Sequence, residues 1–161
     1  RYPWSGWSGQ NYIEAYRHFV DTCRPVAKAA KFMWSPRGEP SLADYYPGKA
    51  YVDSIGLSLF AHQKYEMDTF GRTLSLGERL KGAYTRVADY EGEIFIVEFG
   101  CHGDEEYVRR CWQEVQVKDP RFPRLAGVVY FNDVETFPWP QPYGLPDWRM
   151  RDDRVAASWR R

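Results

Sequence analysis

Apolar residues recur along this chain with two different rhythms. From Gln10 onward, Tyr12, Ile13, Tyr16, Phe19, Val20 and Cys23 fall three or four apart, the spacing of one helix face, with Ser8 and Gly9 where a cap belongs. That spacing predicts a helix over about 10–24, disturbed at Pro25. A second helix opens at Ser75, where Ser-Leu-Gly-Glu to Glu78 has capping-box form, and runs to about Asp89 with Leu76, Leu80, Ala83, Tyr84 and Val87 on one side. A third is capped by Asp104 and extends through Val117, burying Val108, Cys111, Trp112 and Val115.

Between the helices lie short runs that are apolar throughout. Residues 31–34, 51–60, the run through Ile94 to Val97, and 125–131 read as strands. Strands that are hydrophobic at every position and separated by helices predict a parallel sheet covered by helices, not a half-wetted antiparallel one. Residues 36–50 read as a loop with at most one helical turn near Leu42. The stretch before Gly71 is polar, and Pro138, Pro140, Pro142 and Pro146 forbid regular structure near the end. A polar tail from Asp152 reads as helical.

Composition narrows the picture. The 161 residues carry 22 basic and 22 acidic side chains, so no broad positive field exists to draw the chain onto nucleic acid. No apolar run is long enough to span a bilayer. Three cysteines, Cys23, Cys101 and Cys111, are an odd number at uninformative spacing and do not suggest a disulfide framework. Aromatic residues reach 17%, many beside Pro or Gly in loops, where flat rings suit the apolar faces of sugars as well as they fill cores.

Ligands and catalysis gather at the carboxyl ends of strands in parallel α/β folds. The four predicted strands end at Trp34-Ser35-Pro36, at Leu59 to His62, at Glu98-Phe99-Gly100 and at Tyr130 to Asp133. Glu98 directly follows Ile94, Phe95, Ile96 and Val97, and a carboxylate among four apolar neighbours loses more by desolvation than it gains unless it has a partner or a task. An ion pair with an arginine is one explanation and a reactive group in a sugar cleft is the other.

Six blocks in order, RYPWSG (1–6), YIEAYRHFVD (12–21), FMWSP (32–36), YYPGKAYVDSIGLSLF (45–60), IVEFG (96–100) and VVYFN (128–132), resemble the second half of glycoside hydrolase family 26, which contains the retaining endo-β-mannanases. The resemblance covers about residues 1–135. It implies an α/β fold, the C-terminal half (strands five to eight) of a (β/α)8 TIM barrel, with residues 1–161 forming part of one catalytic domain and a Pro-rich wrap from about 134. It also implies that Glu98 is the nucleophile of a retaining hydrolase of a β-1,4-linked polysaccharide, mannan first. The acid/base glutamate of the family closes the fourth strand a few residues before the Tyr-Pro-Trp-Ser-Gly block, so it is expected upstream of Arg1. A closed barrel needs about 250 residues, which independently marks these four strands as a fragment.

By the same resemblance Trp4 and Trp34 are candidate sugar platforms, with Trp7 more readily a packing residue. Phe60, Tyr130 and Asn132 are further candidate substrate contacts. Relatives often place a tyrosine near Phe60 whose hydroxyl reaches the nucleophile; here Ser58, His62 or Tyr65 would have to serve. No metal site and no cofactor are implied: Cys101-His102 lacks ligand spacing, and neighbouring residues point apart. Asp53 reads as structural, and Arg109 and Arg110 pair with Glu105 and Glu106 along a helix. The competing functions are a non-catalytic polysaccharide-binding barrel and a β-glucanase or xylanase of the same family. The expected partner is a polysaccharide or oligosaccharide. Localisation is open on the residues alone, and the resemblance suggests a secreted or periplasmic protein.

Overall fold

The structure is a computed structural model that describes residues 6–36 and 41–150. Its centre is a four-stranded parallel sheet in the order β1 (Met33–Trp34), β2 (Ser54–His62), β3 (Glu93–His102) and β4 (Leu125–Tyr130). Sequential order with parallel pairing requires every connection to cross back over the sheet; α2 and α3 do so between β2 and β3 and α4 between β3 and β4, while α1 precedes β1. They are α1 (Gly9–Cys23), α2 (Gln63–Phe70), α3 (Leu76–Arg86) and α4 (Glu105–Val115), with a 3-10 turn at Leu42–Tyr45.

Local signals explain the helix starts. Ser8 accepts from the Asn11 N–H and Asp104 from the Tyr107 N–H. Ser75 and Glu78 form the full reciprocal capping box. Helix α2 was not expected from its sequence. It leaves β2 directly, capped by the His62 ring, whose Nδ1 accepts from the Tyr65 N–H at 3.3 Å, and stops at Gly71 in the left-handed conformation.

The helices cover one face of the sheet. Trp34, Ile55, Leu57, Leu59, Ala61, Ile94, Ile96, Phe99 and Cys101 pack in a single cluster with Leu76 and Leu80 of α3 and Tyr107 and Cys111 of α4, and Tyr12 and Tyr16 of α1 lean on it. A sequentially ordered parallel sheet with helices on one face is the arrangement of a barrel wall, whereas doubly wound sheets carry helices on both. A buried charge cluster ties the helices together: Arg79 of α3 donates to both carboxylate oxygens of Glu66 on α2, at 2.5 and 3.0 Å, and to the Tyr107 hydroxyl of α4 at 3.0 Å. At the amino ends, Asp53 accepts from the Phe32 N–H at 2.8 Å and lies 3.7 Å from Arg24, the structural role expected of it. Arg109 pairs with Glu105 as expected, but Arg110 pairs with Glu114 instead of Glu106.

Candidate functional site

Strand alternation should place residues 94, 96 and 98 on one side of β3. Ile94 and Ile96 are indeed both 0% exposed on the helix side, so strict alternation would drive the Glu98 carboxylate into the core. It does not go there. Along β2 and β3, Leu57 lies opposite Ile96 but Ser58 lies opposite Glu98, so Val97 is an extra residue in the ladder.

The consequence for side-chain direction follows from two contacts. A Cβ built on Gly56 would meet Cγ1 of Val97 at 3.0 Å, and the Ser58 hydroxyl donates to Oε2 of Glu98 at 2.6 Å. Gly56 and Ser58 are two residues apart and share a face, so Val97 and Glu98 both point away from the helices. Phe99 then returns to the helix side, 0% exposed against Trp112. The bulge resolves the puzzle of a carboxylate after four apolar residues, because it turns Glu98 into solvent on the uncovered face. Among the described residues no lysine or arginine forms an ion pair with it.

The other sequence candidates divide between the faces. Phe60, two residues beyond Ser58, lies on the Glu98 side and packs against Phe131 and Trp148. Trp34 does not join them. It is 1% exposed, wedged between Tyr46 and Tyr90 with ring centroids at 5.1 and 5.0 Å, and offers no free face for a sugar. Its neighbours Met33 and Ser35 hold the open side instead, next to Gly56. Tyr130 also turns to the helix layer, with its ring 4.4 Å from that of Trp112. Its hydroxyl donates to the Trp148 carbonyl at 2.5 Å. Asn132 lies just past β4 and accepts from the Met150 N–H at 2.7 Å. Trp4 lies outside the described residues, as does the tail from Asp152.

The Pro-rich segment reads from the sequence as lining the cleft after the last strand or, the favoured placement, as wrapping the outside. It folds back across the carboxyl ends of β2 and β3, nearer the first of these. A bridge between Val134 and Asp147, with bonds from Glu135 N–H to the Pro146 carbonyl and from Trp139 N–H to the Gly144 carbonyl, closes it on itself. Trp148, 0% exposed, inserts against Phe60, His62, His102 and Trp139. Gly100 makes room for it, since a Cβ there would meet Phe60 at 2.8 Å and Trp148 at 3.0 Å. His62 lies beneath, 3% exposed, and burial first, then the neighbouring His102, hold its pKa below the ordinary histidine value.

Cys101 and His102 continue β3 and face opposite ways. The buried Cys101 thiol meets Cys111, while His102 contacts the backbone of Asp147. Burial raises the Cys101 pKa, which keeps that sulfur a neutral thiol. Among the described residues no group of three or more His, Cys, Asp or Glu is placed to hold a metal ion. A cleft of about 1080 Å³ opens between Gly92, Gln116, Asp119, Arg124 and Val128 at the amino ends of β3 and β4. That is the end opposite the one where parallel α/β folds do chemistry, and the cleft is the hollow beside the unpaired edge of β4.

The family model described as glycosyl hydrolase family 26 matches residues 1–100. The chain belongs to that family. Among solved structures, the catalytic domain of a family 26 endo-β-1,4-mannanase from Bacillus sp. JAMB-750 is similar at 19% identity, over 76% of this chain and 35% of that one, with a TM-score of 0.53. A modular endo-β-1,4-mannanase from Cellulomonas fimi is similar at 21% identity, over 76% of this chain and 29% of that one, with a TM-score of 0.52. At such identities the likeness is one of fold, and the chain spans about a third of the length of these two family 26 structures. No curated protein matches the sequence.

Proposed function

We propose that this chain is the nucleophile-bearing portion of a retaining family 26 hydrolase that cuts β-1,4-linked mannan, with Glu98 as the nucleophile. In this reading β1 to β4 are the fifth to eighth strands of a (β/α)8 barrel, and the acid/base glutamate comes from the end of the fourth, upstream of residue 1. One observation carries the reading: the bulge at Val97 spends an irregularity of β3 on turning a single carboxylate to the uncovered face, in the strand's carboxyl-terminal half. Mannan is chosen because the two similar structures are described as endo-β-1,4-mannanases.

Retaining hydrolysis needs two carboxyl groups about 5–5.5 Å apart. A Glu98 oxygen attacks the anomeric carbon while the upstream acid protonates the departing glycosidic oxygen. The same upstream group then deprotonates a water that attacks that carbon and releases Glu98. Phe60, on the same face, is proposed to lie along the sugar path, whereas Trp34 is assigned to the core.

The test is Glu98→Ala in the protein carrying the whole barrel. Mannan hydrolysis should fall by about 10⁴-fold or more while the polymer is still bound. Undiminished sugar release would remove Glu98 from the mechanism.

A further inference from the structure

Ser58 is the one described side chain with a hydrogen bond to Glu98. Its hydroxyl, directly across the ladder on β2, donates to Oε2 at 2.6 Å, the length of a charge-assisted O–H···O⁻ bond. The bond is one-sided. Oε2 is held by Ser58, and Oε1 has no protein donor among the described residues. Ser58 is itself half-buried in β2 between buried Leu57 and Leu59, so the strand backbone fixes the donor while the acceptor reaches out from the bulge. The fold also removes the obvious alternatives. Phe60 has no hydroxyl, Tyr65 lies on α2, and His62 spends Nδ1 on the Tyr65 N–H.

We propose that Ser58 is the positioning residue of the nucleophile, and that its hydrogen bond favours the second half of the reaction, release of the sugar from Glu98. This rests on the reading of Glu98 given above. In the first step Oε1 bonds to the anomeric carbon and the carboxylate charge disappears, so the Ser58 bond weakens as the ester forms. In the second step a water oxygen bonds to that carbon and the proton of the water passes to the upstream acid/base group. The carbon–Oε1 bond breaks, its electron pair returns to the carboxylate, and charge reappears on Oε2 where the Ser58 hydroxyl awaits it. A donor that meets charge developing in a transition state lowers that barrier specifically.

The experiment compares Ser58→Ala and Ser58→Thr with the parent, in the protein carrying the whole barrel, on a mannooligosaccharide with a good leaving group. Ser58→Ala should lower kcat by about 10- to 100-fold, the range for one bond to a charged group, and lower KM in parallel, because the glycosyl-enzyme accumulates. A burst of leaving group should appear, and mass spectrometry of the quenched enzyme should show the sugar adduct at steady state. Ser58→Thr, which keeps the hydroxyl, should restore most of kcat. If Ser58→Ala leaves kcat unchanged, or lowers it with KM unaltered and no burst, Ser58 has no such role while Glu98 stands. Full activity in Glu98→Ala would instead overturn the parent reading and this one with it.

Discussion

The two faces of one sheet are built to opposite rules. On the helix side, Ile55, Ile94, Ile96, Phe99 and Trp112 are sealed, and the deeply buried ion pair of Glu66 with Arg79 is joined by the Tyr107 hydroxyl and the Leu74 N–H. On the other side, Val97, Glu98 and Phe60 keep access to solvent and the glutamate needs only one hydroxyl. The same polypeptide stretch, IFIVE, puts two residues into the core and, across one inserted residue, turns the proposed nucleophile to the open face.

Removing half of the buried pair should break the comparison most strongly. Glu66→Ala leaves the buried Arg79 guanidinium with only the more distant Glu114 carboxylate, 3.9 Å away, and should cost about 3–5 kcal/mol in urea denaturation. Adjacent residues give the sharpest contrast: Ile96→Ala should cost about 2–5 kcal/mol, whereas Val97→Ala, on the open face, should cost about 1 kcal/mol or less. Ser75→Ala, which opens the capping box of α3, should cost about 1 kcal/mol.

The smallest effect is a pH slope. His62 has a folded pKa below the ordinary 6.5, so the unfolded chain takes up a proton that the folded chain refuses. Stability should therefore fall as pH drops through about 6.5 and level off once the folded pKa is passed. His62→Asn, which preserves a cap for α2, should flatten that part of the denaturation profile.

Much of this was legible in the residues. The parallel sheet followed from four runs with no polar alternation, and α3 and α4 from Ser75, Glu78 and Asp104, because caps are local chemistry. The family followed from ordered blocks. The bulge was not legible, because Ile-Val-Glu reads identically whether or not Val97 is counted in the ladder; only the partner strand's register decides. Trp34 is hard to place for a related reason, since a two-residue strand carries too little pattern to say which face its last side chain takes. Helix α2 was missed because a histidine cap is a weak signal and its eight residues bury little besides Glu66, whose partner lies on the next helix. The strap over β2 and β3 depends on Trp148 finding the space above Gly100, a contact between distant residues that no local rule encodes.

As the proposed nucleophile, the Glu98 carboxylate forms a bond to sugar carbon. The direct measurement treats the protein carrying the whole barrel with a fluorinated, activated β-mannoside that glycosylates the enzyme but is released slowly, followed by proteolysis and mass spectrometry. One adduct is expected, on Glu98 in the peptide containing residues 93–102. An adduct on another carboxylate, or full turnover with Glu98 unmodified, would contradict it.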